Sequence, residues 1–208
     1  MARTEFTESQ IRILDAAAEE FMDAGFDATS IDDIARSVGQ TKGLIYYHFR
    51  SKVEIFYAVY ERAVAVLTDH VAPHATAPAP GIERLERMAK AHLIDLTSRL
   101  AYHDVLRQGL EQRLRLRLTE DQRQALIELN QLRDEYESLF RNVIADGIVD
   151  GSVRRLPVTI AARTLLGGLN AVDLWYRYTQ EQSPSGIDDV EELAGVISDL
   201  LVRGFRQS

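Results

Sequence analysis

Residues 41–49 carry side chains suited to binding a polyanion. Their polar members are one cation, two phenols and one imidazole: Lys42, Tyr46, Tyr47 and His48. Their apolar members recur at helical spacing and predict a helix with one face on a core: Leu44, Ile45 and Phe49. We expect Thr41 to cap this helix, and Gly43, at a cost of about 1 kcal/mol relative to alanine, to let another surface approach its backbone. The stretch favours a helix that lies against a polyanion; a solvated face beside a core is the alternative interpretation.

The segment before this helix predicts how it is positioned. Ser30 is expected to cap a helix that contains Asp33 and ends at Gly39. Two short helices joined by a tight glycine-containing turn form a helix-turn-helix, whose second helix enters the DNA major groove N-terminal end first. Three residues are thereby placed nearest the duplex: Thr41, Lys42 and Gly43.

The charge distribution restricts where DNA can bind. The formal net charge is −8, which by itself argues against a nucleic-acid partner. No acidic residue lies between Ile34 and Val53, however, and this window holds four cations: Arg36, Lys42, Arg50 and Lys52. Acids flank it on both sides: Asp32, Asp33 and Glu54. Any DNA contact is therefore expected from this window.

The composition is that of an ordinary globular protein. The 208 residues are 46% hydrophobic and 27% charged, and cysteine is absent, which excludes disulfides and thiolate metal sites. Residues 1–5 have no apolar core of signal-peptide length, and no run approaches the ~18 apolar residues that a membrane span needs. A reducing cytoplasm is the expected location.

Helical periodicity runs through the whole chain and predicts an all-α fold. The first helix is expected to begin with a capping box at Thr7 and Gln10 and to end at Gly25 in the left-handed conformation. A second box, at Ser51 and Glu54, opens a long helix that can couple the N-terminal module to the rest of the chain.

The middle of the chain predicts further helices with interruptions. The Pro/Ala-rich residues 73–81 are expected to form a loop, followed by a helix from Ile82 to about Ala101. A less regular arginine-rich piece comes next, and Thr119 then caps a long helix that ends near residues 146–147.

The two C-terminal helices carry more apolar surface than one domain can bury. Residues 160–178 are apolar nearly all round, with Pro157 suited to the first turn. The last helix, from about Ile187, has a stripe of apolar residues: Val190, Leu193, Ala194, Ile197, Leu200, Leu201 and Phe205. This excess predicts a subunit interface.

Arginines in the middle of the chain have two interpretations. Arg113, Arg115 and Arg117 alternate with leucines, and Arg107 precedes this run. A solvated helix face is one interpretation; the other is the mouth of a cavity that holds a phosphate- or carboxylate-bearing ligand. Further candidates to line that cavity are Arg133, Tyr136, Asn170, Trp175 and Arg177. An aromatic stripe at helical spacing is more often core than pocket.

Metal and catalytic chemistry find no support in the residue pattern. His70 and His74 have ligand-like spacing, but we expect Pro73 to break the helix that would align them. Ser98 with His92 or His103 fits no nucleophile–base motif. We therefore expect no enzyme activity, no metal and no cofactor.

Residues 10–60 resemble the DNA-binding module of the TetR family of bacterial transcriptional regulators. The matching residues are 13–17, Phe21, 25–30, Ile34, Ala35, Val38, Gly39, 42–49, Ser51 and Lys52. The resemblance implies a three-helix module at residues 1–50 and a helical domain at 51–208, whose first helix, 51–71, is the linker. That second domain is expected to bind a small molecule and to dimerise through its last two helices.

The resemblance also implies roles for single residues. Phosphate or base-edge contacts are expected from Thr41, Lys42 and Gly43. Aromatic and backbone contacts are expected from Tyr46, Tyr47 and His48, and a phosphate contact from Lys52. Ser30 is a further DNA-binding candidate, and Arg50 stands where a lysine is common at a phosphate.

Residues 169–178 with Pro184 look like a subset of TetR regulators that govern fatty-acid, steroid or aromatic catabolism, several of which respond to acyl-CoA thioesters. The expected function is a dimeric repressor that a small-molecule effector, with acyl-CoA as the candidate, releases from a near-palindromic operator. Two alternatives are a helical enzyme with an incidental helix-turn-helix and a dimeric scaffold that binds protein through the basic window.

Overall fold

The computed structural model describes residues 5–112, 120–176 and 189–207. The described residues form helices, with one isolated bridge between Val153 and Arg206, so the predicted all-α fold is confirmed. The helices are α1 Glu8–Ala24, α2 Ile31–Val38, α3 Lys42–His48, α4 Lys52–Ala75, α5 Gly81–Ser98, α6 Leu100–Gln112, α7 Glu120–Asp150, α8 Val158–Asn170 and α9 Val190–Arg203.

The helices pack into two compact units. The first joins residues up to 65 with 101–132, and the second joins 66–100 with residues from 133 onward. Because the units are interleaved in sequence, α4 and α7 each contribute to both. The division into residues 1–50 and 51–208 is a functional one, and it stays a prediction.

Local capping holds the first two helices as expected. The Thr7 hydroxyl accepts from the Gln10 N–H, while the Gln10 side chain accepts from the Thr7 N–H at 2.9 Å. Ser30 and Asp33 form the equivalent pair at the start of α2. Gly25 ends α1 with a φ of 80° but a ψ of 157°, so it is extended beyond the left-handed helical region that was predicted.

An aromatic cluster forms the core of the first unit. The Phe21 ring lies 5.6 Å from the rings of both Phe26 and Phe56, measured between centroids. From α6, the side chain of Gln108 accepts from the Phe26 N–H at 3.2 Å and donates to the Phe21 carbonyl at 2.8 Å. The end of α1 is thus fastened to both α4 and α6.

Two expectations about helix ends in the middle of the chain are wrong. α4 continues through Pro73 to Ala75, because the missing N–H lies in the last turn and costs a single bond to an earlier carbonyl. α5 ends at Ser98 rather than near Ala101. α6 contains Arg107 and runs to Gln112, while the rest of the predicted arginine-rich piece lies outside the described residues. Thr119, the predicted cap of the next helix, lies outside the described residues.

α7 runs through Gly147 to Asp150, instead of ending at residues 146–147. Gly147 faces Gly81 at the start of α5, where a Cβ on Gly81 would lie 2.3 Å from the Gly147 Cα. The glycine therefore permits close helix packing and does not end the helix. The start of α5 is capped from the same direction, since its Gly81 N–H donates to Asp150 at 2.7 Å and its Ile82 N–H donates to Ser152 at 3.1 Å.

In the second unit α9 packs along α5 and also against α8. α9 begins at Val190 with Asp189 as its cap, while Ile187 lies outside the described residues. Leu200, a member of the predicted apolar stripe, is 64% exposed in the single chain. The buried face of α9 consists of Leu193, Ala194, Ser198 and Val202. Within the described residues, no helix is both long and apolar enough to cross a membrane.

Candidate nucleic-acid interface and effector site

The exposed side of α3 and its cap forms what we term the reading surface, which consists of Thr41, Lys42, Gly43, Tyr46 and Tyr47. Ile45 and Phe49 anchor α3 in the core of the first unit. On the opposite side Tyr46 is 48% and Tyr47 is 81% exposed. Two phenols this exposed on so short a helix bury little apolar area within the chain, and this indicates a surface kept for a partner.

Thr41 and Gly43 give the reading surface an open backbone. The Thr41 hydroxyl accepts from the Leu44 N–H at 3.4 Å and so caps α3. A Cβ added to Gly43 would meet only the Thr41 hydroxyl, at 3.9 Å. Internal packing does not require a glycine here, and the close approach of another surface to this backbone stays a prediction.

Two cations of the basic window are paired with acids at the start of α2. Lys42 Nζ lies 2.8 Å from Asp32 Oδ2, and Arg36 Nη1 lies 3.0 Å from Asp33 Oδ1. The hydrogen bond to Asp32 raises the pKa of Lys42. Hydrogen bonds from Ser30 lower the pKa of Asp33. The positive potential of the window is therefore partly neutralised within the protein.

Lys52 has an intramolecular role that the sequence did not predict. Its ammonium donates to the main-chain carbonyls of Phe26, Asp27 and Thr29 at 2.5, 3.1 and 2.7 Å, and lies 4.4 Å from the centre of the Phe26 ring. Burial lowers the pKa of Lys52. All three donors of this ammonium are thus occupied. The phosphate contact of Lys52 stays a prediction, and it is disfavoured because the ammonium already makes three hydrogen bonds within the protein.

The remaining candidate residues of the first unit differ in whether their side chains already have a partner within the protein. Arg50 is exposed, and the described part of the chain gives its guanidinium no partner. The Ser30 hydroxyl is used in the capping box. The ring of half-buried His48 lies 5.0 Å from that of Tyr47. Arg107 pairs with Asp104 on its own helix.

In the second unit a buried histidine joins two of the predicted ligand residues. His92 on α5 is 1% exposed; its Nδ1 lies 2.8 Å from the Tyr136 hydroxyl and its Nε2 3.2 Å from Asn170 Oδ1. Because the amide oxygen can only accept, Nε2 carries the proton and Nδ1 accepts from the phenol. Burial, followed by the nearby charge of Asp95, raises the pKa of Tyr136 well above its usual value and keeps it a donor.

A buried carboxylate extends this polar centre. Asp95, also on α5, accepts from His70 Nδ1 at 2.7 Å and lies 3.5 Å from Arg99 Nε. Polar groups buried in a helical core are costly unless they are satisfied, so their concentration here marks a functional candidate. His70 binds a carboxylate, and the described residues contain no cluster of three or more metal-ligating side chains.

Other predicted ligand residues are less closely connected. Arg133 is half-buried, and the structure gives it no hydrogen-bond partner among the residues it describes. Trp175 is 40% exposed. Arg113 and Arg177 lie outside the described residues, as do Arg115 and Arg117.

Two residues of these sites escaped prediction for different reasons. His92 lies on the buried face of α5 among apolar residues, and an imidazole in an apolar stripe is a usable signal for a buried polar contact. In the sequence Asp32 is only one of the acids that flank the basic window. Its contact with Lys42 links two helices, so no periodic pattern in the sequence reveals it.

An exposed helix-turn-helix followed by a helical unit is the arrangement of a class of DNA-binding proteins. The family model for bacterial regulatory proteins of the tetR family matches residues 13–59, and the model for the tetracyclin repressor-like C-terminal domain matches residues 78–205. The chain belongs to the TetR family and is a DNA-binding transcriptional regulator of that type.

Curated relatives match over different lengths. Two HTH-type regulators of Pseudomonas putida are 44% identical over 55 residues, which span only 26% and 41% of their own lengths. The fatty acid metabolism regulator protein of Bacillus subtilis is 22% identical over 201 residues, 94% of each chain.

Solved structures share the fold over nearly the whole chain. The TetR family regulator PfmR from Thermus thermophilus is 29% identical with a TM-score of 0.78, covering 94% of this chain and 100% of its own. AibR, solved in complex with isovaleryl coenzyme A and operator DNA, is 20% identical with a TM-score of 0.76, covering 95% and 100%. At this identity the likeness to AibR concerns the fold alone.

Proposed function

We propose that this chain is a dimeric, ligand-responsive repressor that leaves a near-palindromic operator when a small molecule binds its second unit. The observation that carries the proposal is the reading surface, where a cation, a glycine and two exposed phenols stand on the second helix of a helix-turn-helix. Binding of DNA, rather than catalysis, is the activity that this arrangement supports.

The contacts follow from the exposure of each side chain. Lys42 and Arg50 reach phosphates, while Tyr46 and Tyr47 contact the backbone or base edges in the major groove. Two copies of α3 in a dimer meet successive major grooves about 34 Å apart. Since the net charge is −8, few phosphates are engaged and modest salt weakens binding.

Dimerisation is supported by apolar side chains that the second unit leaves in water. Six large ones are exposed among its described residues: Val149, Ile160, Leu174, Trp175, Val196 and Leu200. All except Val149, which lies on α7, are on α8, α9 or the helical residues 172–176. Burial against a second copy of the chain would remove this apolar area from water.

The effector site is built around Tyr136 and Asn170, which His92 connects, with Arg133 and Trp175 as further contacts in the second unit. We infer an acyl-CoA thioester as its effector class, because AibR binds isovaleryl coenzyme A and the fatty acid metabolism regulator matches over nearly the full chain. The effector is proposed to act through α4 and to change the spacing of the two α3 helices. To shift the ratio of released to DNA-binding form from 1:99 to 99:1, the effector must bind the released form more tightly by about 5.5 kcal/mol.

The test begins with selection of a duplex from a random-sequence pool by the full-length protein. A gel shift then compares wild type with the double variant Lys42→Ala, Tyr46→Ala, and isovaleryl-CoA is added to the wild-type complex. Loss of the shifted band in the double variant is expected, as is release by the thioester. A double variant that binds its operator as well as wild type does would refute the assigned surface.

A control separates the effector from the DNA contacts. Tyr136→Phe removes the phenol hydroxyl from the polar centre without touching the first unit. It should bind the selected duplex normally but need more thioester for release. If no thioester in a graded series releases the wild-type protein, the effector class is wrong while the regulator assignment stands.

A further inference from the structure

The cations near the reading surface are occupied before DNA arrives. Lys42 is paired with Asp32, Arg36 with Asp33, and Lys52 with three carbonyls. Of the four cations in the basic window, Arg50 alone has no partner for its side chain in the part of the chain that the structure describes. α3 contains no acid, so the charges that neutralise its lysine come from α2.

We propose that Asp32 masks Lys42, acting as an intramolecular competitor of the DNA phosphates and thereby limiting how tightly the reading surface binds DNA. The proposal rests on the proposed function and adds a residue that regulates it. Asp32 takes one of the three donors of the Lys42 ammonium and offsets its charge, and the carboxylate lies beside any phosphate that Lys42 binds.

The fold itself does not need this ion pair. Side chains of Lys42 and Asp32 are 48% and 57% exposed, and pairs this exposed add little to stability. The start of α2 is already capped by Ser30 together with Asp33. Asp32 can therefore be neutralised without loss of the helix, which makes its charge testable by itself.

Among the cations of the basic window, Lys42 is the one for which a carboxylate of α2 and a DNA phosphate compete. Asp33 is bound to Ser30 and Arg36 at the same time, so its charge serves the helix start. Asp32 Oδ2, by contrast, has Lys42 Nζ as its hydrogen-bond partner across the turn between α2 and α3. A phosphate oxygen offers the same ammonium an equivalent charge-assisted hydrogen bond, so the carboxylate and the phosphate compete for one positive charge.

The test is a double-mutant cycle on the full chain. Wild type, Asp32→Asn, Lys42→Gln and the double variant are titrated by fluorescence anisotropy against the selected duplex and a random-sequence duplex of equal length, at several salt concentrations. Asp27→Asn removes the same charge from an exposed acid of the α1–α2 loop and serves as the matched control. Asp32→Ser is a second variant in case the first perturbs folding, which circular dichroism reports.

Asp32→Asn is expected to bind both duplexes roughly two- to fivefold more tightly, the range of an exposed ion pair. The slope of log affinity against log salt concentration should also be steeper than that of wild type. The increase should be a fraction of the ~0.9 that one full phosphate contact contributes. The gain should largely vanish in the Lys42→Gln background and be absent in Asp27→Asn.

The remaining outcomes separate the two proposals. An equal gain with and without Lys42 overturns the mask, because it shows a general charge effect. Unchanged affinity in both Asp32 variants, with wild type binding DNA, overturns the mask alone. Absence of binding to either duplex by wild type and by both Asp32 variants overturns the proposed function together with the mask.

Discussion

At the scale of single residues, Arg50 and Lys52 hold their charges in opposite surroundings. The Lys52 ammonium is bound to three carbonyls of the α1–α2 loop and stacked on Phe26. The Arg50 guanidinium is exposed, without a partner in the residues that the structure describes. By residue type both are phosphate contacts. The structure favours Arg50 for that role and gives Lys52 the task of fixing the loop before α2.

Substitution of each residue should therefore affect a different property. Arg50→Ala is expected to leave stability within about 0.5 kcal/mol of wild type and to reduce the slope of log affinity against log salt by ~0.9. Lys52→Met keeps the stem over Phe26 but leaves three carbonyls without their donor, so the free energy of unfolding should fall by about 1–3 kcal/mol. Urea unfolding and anisotropy titrations at several salt concentrations measure the two quantities.

Each of the two variants has an outcome that would reverse the role given to its residue. A Lys52→Met protein of wild-type stability with a reduced salt slope would restore the phosphate contact that the family resemblance implies. If Arg50→Ala binds DNA with unchanged affinity, Arg50 is not part of the DNA interface.

At the scale of helices, features determined by near neighbours could be predicted from the sequence. The capping boxes at Thr7 and Ser30 connect residues three apart, and the buried Ile45 and Phe49 follow helical spacing. These patterns located α1, α2 and α3 and the side of α3 that faces solvent. The candidate interface was thus largely predictable from residue types and their period.

Features determined by packing could not be predicted in the same way. Gly147 resembles a helix stop, yet it lies inside α7 because Gly81 packs against it. Pro73 resembles a breaker but falls in the last turn of α4. The polar centre at His92 joins residues of α5, α7 and α8. Such contacts depend on how distant segments meet, which a single sequence does not encode as a period.

The polar centre predicts a dependence of stability on alkaline pH. Burial holds the pKa of Tyr136 above its usual value of about 10. Below pH 10 the phenol is protonated in the folded and the unfolded chain, and its contribution is complete. Above pH 10 the unfolded chain loses this proton while the folded protein keeps it, so stability falls by about 1.4 kcal/mol per pH unit for this group.

Urea unfolding between pH 8 and 11 measures this effect. Tyr136→Phe should show a shallower decline than wild type, whatever its absolute stability. Tyr47→Phe, which changes an exposed phenol, should decline as steeply as wild type does. Equal slopes in wild type and Tyr136→Phe would show that the phenol is not held protonated by the fold.

At the scale of the whole molecule, the second unit presents apolar side chains that its own packing does not cover. On α9, one face of the helix packs on α5 and α8, while Val196 and Leu200 on another face stay 44% and 64% exposed. Ile160 on α8 is exposed to a similar degree. A helix with two apolar faces is buried on both in its functional state, so these residues favour a second copy of the chain as their partner.

Leu200→Glu should therefore convert a dimer into a monomer, because it places a carboxylate in the centre of the proposed apolar interface. Val149→Glu is the matched control, since Val149 is an apolar residue that is 89% exposed near the end of α7. Sedimentation velocity is expected to give a dimer for wild type and the control, and a monomer for Leu200→Glu. Because two linked reading surfaces gain affinity from effective concentration, the monomer should bind the selected duplex roughly 10²-fold more weakly or worse. A Leu200→Glu protein that stays dimeric would place the interface elsewhere, and a monomer with wild-type affinity would show that pairing of the two surfaces is not required for DNA binding.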